Sequence, residues 1–411
     1  MVSEYILKNW ENTIRDTSHK GHGMVALPKP FSTPSIEPLF EDFYYWDTYF
    51  INLGLLVDGF IEQAKNNLDN IAYFIRHMGY MPNASHLHYT SQPPLFTRAV
   101  YVFSACTKDK NVLKDYFDAI LQEYNFFMND RMTEIGLNQY GCANFLKSQI
   151  KDLYGYFSKR VGVEKETEEE QINFIKDMFA ICESGWDCSP RFDTLTQPFV
   201  AHKFTQVDLN CLLYDMENII SEIYDFLGER ENSVKFKMLA EERKRCMNAY
   251  MLNRENGLYY DYNFVDKCFS KVVSDVSFYP YLFGVSSDVE GLKELLKRLE
   301  LPHGISACEY EEKSKYLQWD YPMMWAPNVY FAYEALVKNG LETDAKRIAI
   351  KYRETVERNY TKTGILWEKY NAKTGEVGTA KDSTAHPMLG WTAAVYQYLG
   401  KKLNDTVIDK E

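Results

Sequence analysis

Apolar and polar positions recur along this chain mainly with helical spacing. Between residues 342 and 360, Ala345, Ile348, Ile350, Tyr352 and Val356 fall among charged residues, which predicts an amphipathic helix. The same patterning predicts helices over 5–15, 46–57, 61–78, 95–106, 113–129 and 171–181. It continues over 208–226, 231–251, 289–299, 327–338 and 387–399. Strand-like alternation is confined to short pieces such as Gly257-Leu-Tyr-Tyr-Asp-Tyr262. The acidic run Glu164–Glu170 reads as a solvated helix start. No Pro/Gly/Ser linker or low-complexity block divides the chain.

Helices of similar length joined by unequal loops suggest a closed ring of helical hairpins with a cavity at one end. The expected fold is therefore all-α, a single toroidal domain over residues 1–411, with residues 1–30 as an N-terminal helical arm. Two helical domains meeting near residue 200 would be the alternative, but no hinge is visible there. Loops carried on such a rigid scaffold are where function concentrates.

Composition narrows the partners. Tyr (31) and Phe (25) are abundant, and Tyr suits the wall of a wet cleft. A net charge of −12 argues against nucleic acid or an anionic membrane, which need basic surface. A small neutral ligand fits better. The N-terminus shows no basic and apolar leader, and no run reaches the roughly 20 apolar residues of a membrane span. A cytoplasmic protein is expected. Its eight cysteines are scattered without a Cys-x-x-Cys pair, so neither metal nor disulfides are anticipated. No glycine-rich phosphate loop calls for a nucleotide, and no cofactor is expected.

Candidate chemistry lies in two segments that set an acid among aromatics, Glu183-Ser-Gly-Trp-Asp187 and Trp367-Glu368-Lys-Tyr370. Tyr44-Tyr-Trp-Asp47, Pro82-Asn83, Ser91-Gln-Pro-Pro94 and Gln318-Trp-Asp-Tyr-Pro322 supply more Trp, Tyr, Asn and Asp. Rings cover the apolar face of a pyranose while amides and carboxylates take its hydroxyls. Two carboxylates across such a site suffice to cut a glycosidic bond. Taken singly these pieces have blander readings. Gly-Trp-Asp resembles a helix cap, Glu368 a solvated turn residue, and Ser91-Gln-Pro-Pro94 a helix start. His86-x-His88 reads as a surface-loop doublet.

As an ordered set the pieces resemble the inverting trehalase family of glycoside hydrolases. The matches are Tyr44-Tyr-Trp-Asp47, Gly79-Tyr-Met-Pro-Asn83, Ser91-Gln-Pro-Pro94, Glu183-Ser-Gly-Trp-Asp187-x-Ser-x-Arg191 and Val207-Asp-Leu-Asn210. They continue through Gln318-Trp-Asp-x-Pro322-x-x-Trp-Ala-Pro327, Glu368-Lys-Tyr370 and Gly390-Trp-Thr392. The resemblance implies an (α/α)6 barrel, with Asp187 as general acid and Glu368 as the base that activates water. It implies that Trp46, Asp47, Asn83, Gln92, Gly185, Trp319 and Asp382 bind substrate, and the neighbouring aromatics Tyr45 and Trp186 are expected to join them. Processing α-glucosidases and mannosylglycerate hydrolases share the barrel and several of these pieces.

The chain departs from the family where Leu39, Glu41 and Thr90 replace arginines. Arg160 matches an Arg-Pro-Glu stretch by one residue only, and no role is assigned to it. The expected activity is inverting hydrolysis of an α-glucosidic bond in a small saccharide, trehalose first. A processing-type α-glucosidase or glycosyl-glycerate hydrolase is the alternative within hydrolysis. A sugar epimerase or a non-catalytic sugar-binding protein is the alternative outside it. Inversion requires Asp187 to hold a proton and Glu368 to stay charged, with room for water between two carboxyls roughly 6.5–9.5 Å apart.

Overall fold

Helices buried on every side alternate with helices buried along one stripe, and this alternation builds the ring. The computed structural model describes residues 1–19, 26–143, 145–194, 196–312, 317–381 and 383–408. Its α-helices begin with α1 (Val2–Asn9), α2 (Tyr45–Val57), α3 (Ile61–Met78), α4 (Phe96–Thr107) and α5 (Asn111–Asp115). There follow α6 (Phe117–Asp130), α7 (Ile150–Val161), α8 (Glu168–Glu183), α9 (Val207–Phe226) and α10 (Arg230–Tyr250). The last are α11 (Tyr279–Phe283), α12 (Val289–Leu299), α13 (Ala326–Lys338), α14 (Glu342–Thr363) and α15 (Gly390–Ile408).

Six of them close a ring. Helices α2, α4, α9, α11, α13 and α15 each pack on the next, and α15 returns to α2. Positions 45 to 55 of α2 are buried without a break, as befits a helix with neighbours all round. The outer helices show the opposite pattern. In α10 only Phe236, Ala240, Arg243 and Met247 are buried, a single stripe against α9. Helices α3 and α14 likewise back onto their inner neighbours. This is the (α/α)6 barrel.

Closure depends on close contact between α2 and α15. A Cβ at Gly54 would lie 2.7 Å from the Ala394 Cα, so only glycine permits this approach. Asp58, just past α2, accepts from the Trp10 indole at 2.6 Å and from Gln397 at 2.8 Å. The chain's first helix is thereby fixed to its last.

Local sequence explains most boundaries. Thr167 and Glu170 form a capping box at the start of α8, with three glutamates in the first turn. Three predicted helices differ, and the last, predicted over 387–399, runs as α15 from Gly390 to Ile408. The segment 5–15 is α-helical only to Asn9 and passes through a 3-10 turn at Glu11–Thr13, because Ile14–Arg15 pairs with Phe31–Ser32 as a small ribbon. The segment 113–129 breaks at Tyr116, whose hydroxyl is held by Asp69 at 2.6 Å and whose ring meets Phe96. Helices α7 and α11 lie outside the predicted segments. Among the described residues no helix is long and apolar enough to cross a membrane.

Candidate active site

One cavity of about 430 Å³ opens at an end of the ring, a size suited to a small organic ligand. Pro34, Phe40, Met388 and Trp391 form part of its lining, and four further parts of the chain wall the rest. The first is the turn after α8. Gly185 takes a left-handed conformation (φ +73°) and lies against the Trp46 ring, turning the backbone so that Asp187 lines the cavity.

The second is the ribbon that pairs Met323–Trp325 with Lys369–Asn371. Directly before its second strand, Glu368 faces the cavity. Its backbone N–H donates to the His386 carbonyl (2.9 Å), and its carbonyl accepts from the Trp391 indole (3.0 Å). Lys369 Nζ donates to Glu368 Oε2 at 2.9 Å and stands over the Trp325 ring. Trp319 and Trp325 stack in parallel, with centroids 4.1 Å apart.

The third part is the start of α2 with the loop 83–92, bringing Trp46, Asp47, Asn83, Thr90 and Gln92 to the cavity. Gln92 Oε1 accepts from the Trp46 N–H at 2.8 Å and Asn83 donates to the Cys182 carbonyl at 3.2 Å. The fourth is α7, whose Leu153, Tyr156, Phe157 and Arg160 line the opening.

Buried charge knits these parts together. Glu183 accepts from Ser91 N (2.8 Å), Gly141 N (2.6 Å) and both ends of the Arg131 fork (2.7 and 2.9 Å). One carboxylate thus joins the Ser91-Gln-Pro-Pro94 segment to the Asp187 turn. Arg191 is fully buried between Asp208 (2.7 Å) and Asp261 (2.6 Å), with its guanidinium over Trp186. These bonds explain why the Asp187-x-Ser-x-Arg191 and Val207-Asp-Leu-Asn210 motifs carry charge that does not line the cavity.

Two site groups have notable electrostatics. Burial, with the Glu368 carboxylate adding to it, pushes the Asp47 carboxyl up to about 7. Arg160 Nη2 donates to Asp187 Oδ2 at 2.9 Å, and the Asp187 carboxylate holds that guanidinium above its usual range.

Of the residues singled out from the sequence, Trp46, Asp47, Asn83, Gln92, Gly185, Asp187, Trp319 and Glu368 line this one cavity. Tyr45 and Trp186 do not. The Tyr45 hydroxyl turns into the core and donates to Glu123 at 2.6 Å, while Trp186 packs behind Trp319 at 5.0 Å. Asp382 lies outside the described residues. His88 bonds the Ser85 carbonyl at 2.9 Å and does not line the cavity. Leu39 is exposed, whereas Thr90 lines the wall. Arg160 is the residue that sequence reasoning leaves without a role. Leu153, Tyr156, Phe157 and Arg160 at i, i+3, i+4 and i+7 are the signal that could have found it.

Among the described residues no group of three or more His, Cys, Asp or Glu is arranged to hold a metal. Among the described residues no disulfide joins any of the cysteines.

A sequence model of the family described as trehalase matches residues 1–404. The structure is similar to neutral trehalase Nth1 from Saccharomyces cerevisiae, with a TM-score of 0.75 and 24% identity, covering 98% of this chain and 80% of that one. It is also similar to the GH63 mannosylglycerate hydrolase from Thermus thermophilus in complex with Tris and D-glycerate. That match has a TM-score of 0.66 and 14% identity, covering 97% of this chain and all of the other. At these identities the two structures bear on the fold.

Proposed function

The chain belongs to the trehalase family, and from that premise we propose that it inverts the anomeric centre of a small α-glucoside, with trehalose as the reference substrate. It is a glycoside hydrolase acting on small saccharides. The observation that carries the reading is the meeting of Asp187 and Glu368 in one tryptophan-walled cavity, from elements far apart in the chain.

In this reading Asp187 is the general acid. With Arg160 bound to Oδ2, the proton that Asp187 gives to the departing oxygen sits on Oδ1. Glu368 is the general base. Lys369 occupies its Oε2, leaving Oε1 to take a proton from water as the water oxygen attacks C1. Trp46, Trp319 and Trp325 cover the pyranose and exclude bulk water. Asn83 and Gln92 take hydroxyls. Asp47, with its carboxyl near 7, donates to a hydroxyl in its neutral form. Cysteines outside any disulfide are in keeping with a cytoplasmic setting, and the net charge of −12 with a neutral saccharide rather than nucleic acid as partner.

The test is glucose release from α-linked disaccharides and simple α-glucosides. Turnover that disappears in Glu368→Gln supports the assignment. Turnover undiminished in that variant refutes the role of Glu368, and silence on every α-glucoside sends the substrate reading elsewhere.

A further inference from the structure

On α7, Leu153, Tyr156, Phe157 and Arg160 fall on one helical face, and all four line the cavity. Arg160 ends this stripe and bonds Asp187. The apolar part of the stripe therefore lies on the side where Asp187 would meet a departing oxygen. Neighbouring rings extend it. Tyr89 stacks on Phe179 with centroids 5.1 Å apart, and Phe157 meets Phe179 edge-on at 5.2 Å. At the mouth, Tyr156 is 62% exposed, a large ring open to solvent beside the cavity.

A sugar leaving group would bring several hydroxyls to this wall, and each needs a polar partner once water is displaced. The wall supplies mostly ring faces and aliphatic carbon. The Tyr89 hydroxyl accepts from the Gln149 amide. The amide and carboxyl groups of the cavity, Asp47, Asn83, Gln92, Asp187, Gln318 and Glu368, stand on other elements, and on α7 itself the polar groups are the Arg160 guanidinium, bonded to Asp187, and the Tyr156 hydroxyl at the mouth. A face of this kind gains most from covering an apolar group.

We propose that the leaving group of the preferred substrate is an apolar or aromatic aglycone, so that alkyl- and aryl-type α-glucosides are better substrates than disaccharides. This rests on the hydrolase reading above. The C1–O bond to the aglycone breaks as Asp187 protonates that oxygen. The water oxygen bonds to C1 and gives its proton to Glu368, releasing the free sugar and an apolar alcohol or phenol.

The experiment uses methyl, butyl and hexyl α-glucosides, whose leaving oxygens are similarly basic. Turnover is measured with the wild-type enzyme and binding with Glu368→Gln by calorimetry. The expected result is a rise in kcat/KM and in affinity with chain length, up to roughly fourfold per fully covered methylene. The rise should shrink in Leu153→Asn and Tyr156→Asn and return in Leu153→Met. Affinity that stays flat or falls with chain length overturns the proposal, whatever the enzyme does to trehalose. Affinity that rises without turnover on any glycoside sinks the hydrolase reading and leaves the apolar wall standing.

Discussion

The wall that carries Glu368 is clamped inside the barrel, whereas the wall that carries Leu153, Tyr156 and Arg160 stands outside the ring of inner helices. Around Glu368, Lys369 is wholly buried, Trp319 and Trp325 stack, and Trp391 bonds the backbone. Helix α7 packs chiefly on α8 and keeps Tyr156 in solvent. A buried, multiply bonded base cannot move without disturbing the core. A helical hairpin on the rim can change its side chains at little cost to stability. The difference teaches that bond cleavage belongs to the rigid wall and leaving-group choice to the rim.

The sharpest way to break this comparison is to remove first the carboxyl of the clamped wall and then the carboxyl that Arg160 of α7 bonds. Glu368→Gln is expected to lower kcat by about 10²–10⁴ on every substrate, because no other base serves the water. Asp187→Asn should lose a similar factor on substrates with basic leaving oxygens, yet retain activity on α-glucosyl fluoride, whose leaving group needs no proton. Steady-state rates on both substrate types check this. Equal losses on the fluoride would place Asp187 outside the acid role.

A second prediction concerns the joint between the parts. Glu183→Gln leaves Arg131 as a buried charge without its carboxylate, costing about 3–5 kcal/mol in unfolding free energy. Denaturant titration measures it. Because Glu183 also holds Ser91, activity should fall with stability, and a stable, fully active variant would uncouple the two.

The smallest effect concerns Asp47. Its raised carboxyl binds a proton more tightly in the folded chain than in the unfolded one. Its contribution to stability therefore falls as pH rises from about 4 through about 7. Asp47→Asn should flatten that part of the melting temperature profile, as thermal scans across the window would show. An unchanged profile would contradict burial as the cause.

How much was legible follows from the same contrast. Helices α3 and α12 have the bounds their patterning predicts, because each has one apolar stripe and a clear end signal, Gly79 for α3 and Asp288 for α12. Helix α11 is buried on all sides, so no polar face marks its period. Helix α7 carries Gly155 at its middle and packs chiefly on α8, so its stripe reads as connection. Within the site, family motifs marked the residues of the rigid wall. They did not separate Tyr45 from Trp46, since adjacent helical residues point about 100° apart, one into the core and one into the cavity. Arg160 escaped because a lone matching residue carries no pattern.

Product stereochemistry tests the central claim most directly. Hydrolysis of methyl α-glucoside, whose leaving group is not a second α-glucose, followed by proton NMR from the first turnovers should show β-glucose appearing first and relaxing slowly to the anomeric mixture. Initial α-glucose would contradict the account, because it requires a glycosyl-enzyme intermediate and makes Glu368 something other than the base that activates water.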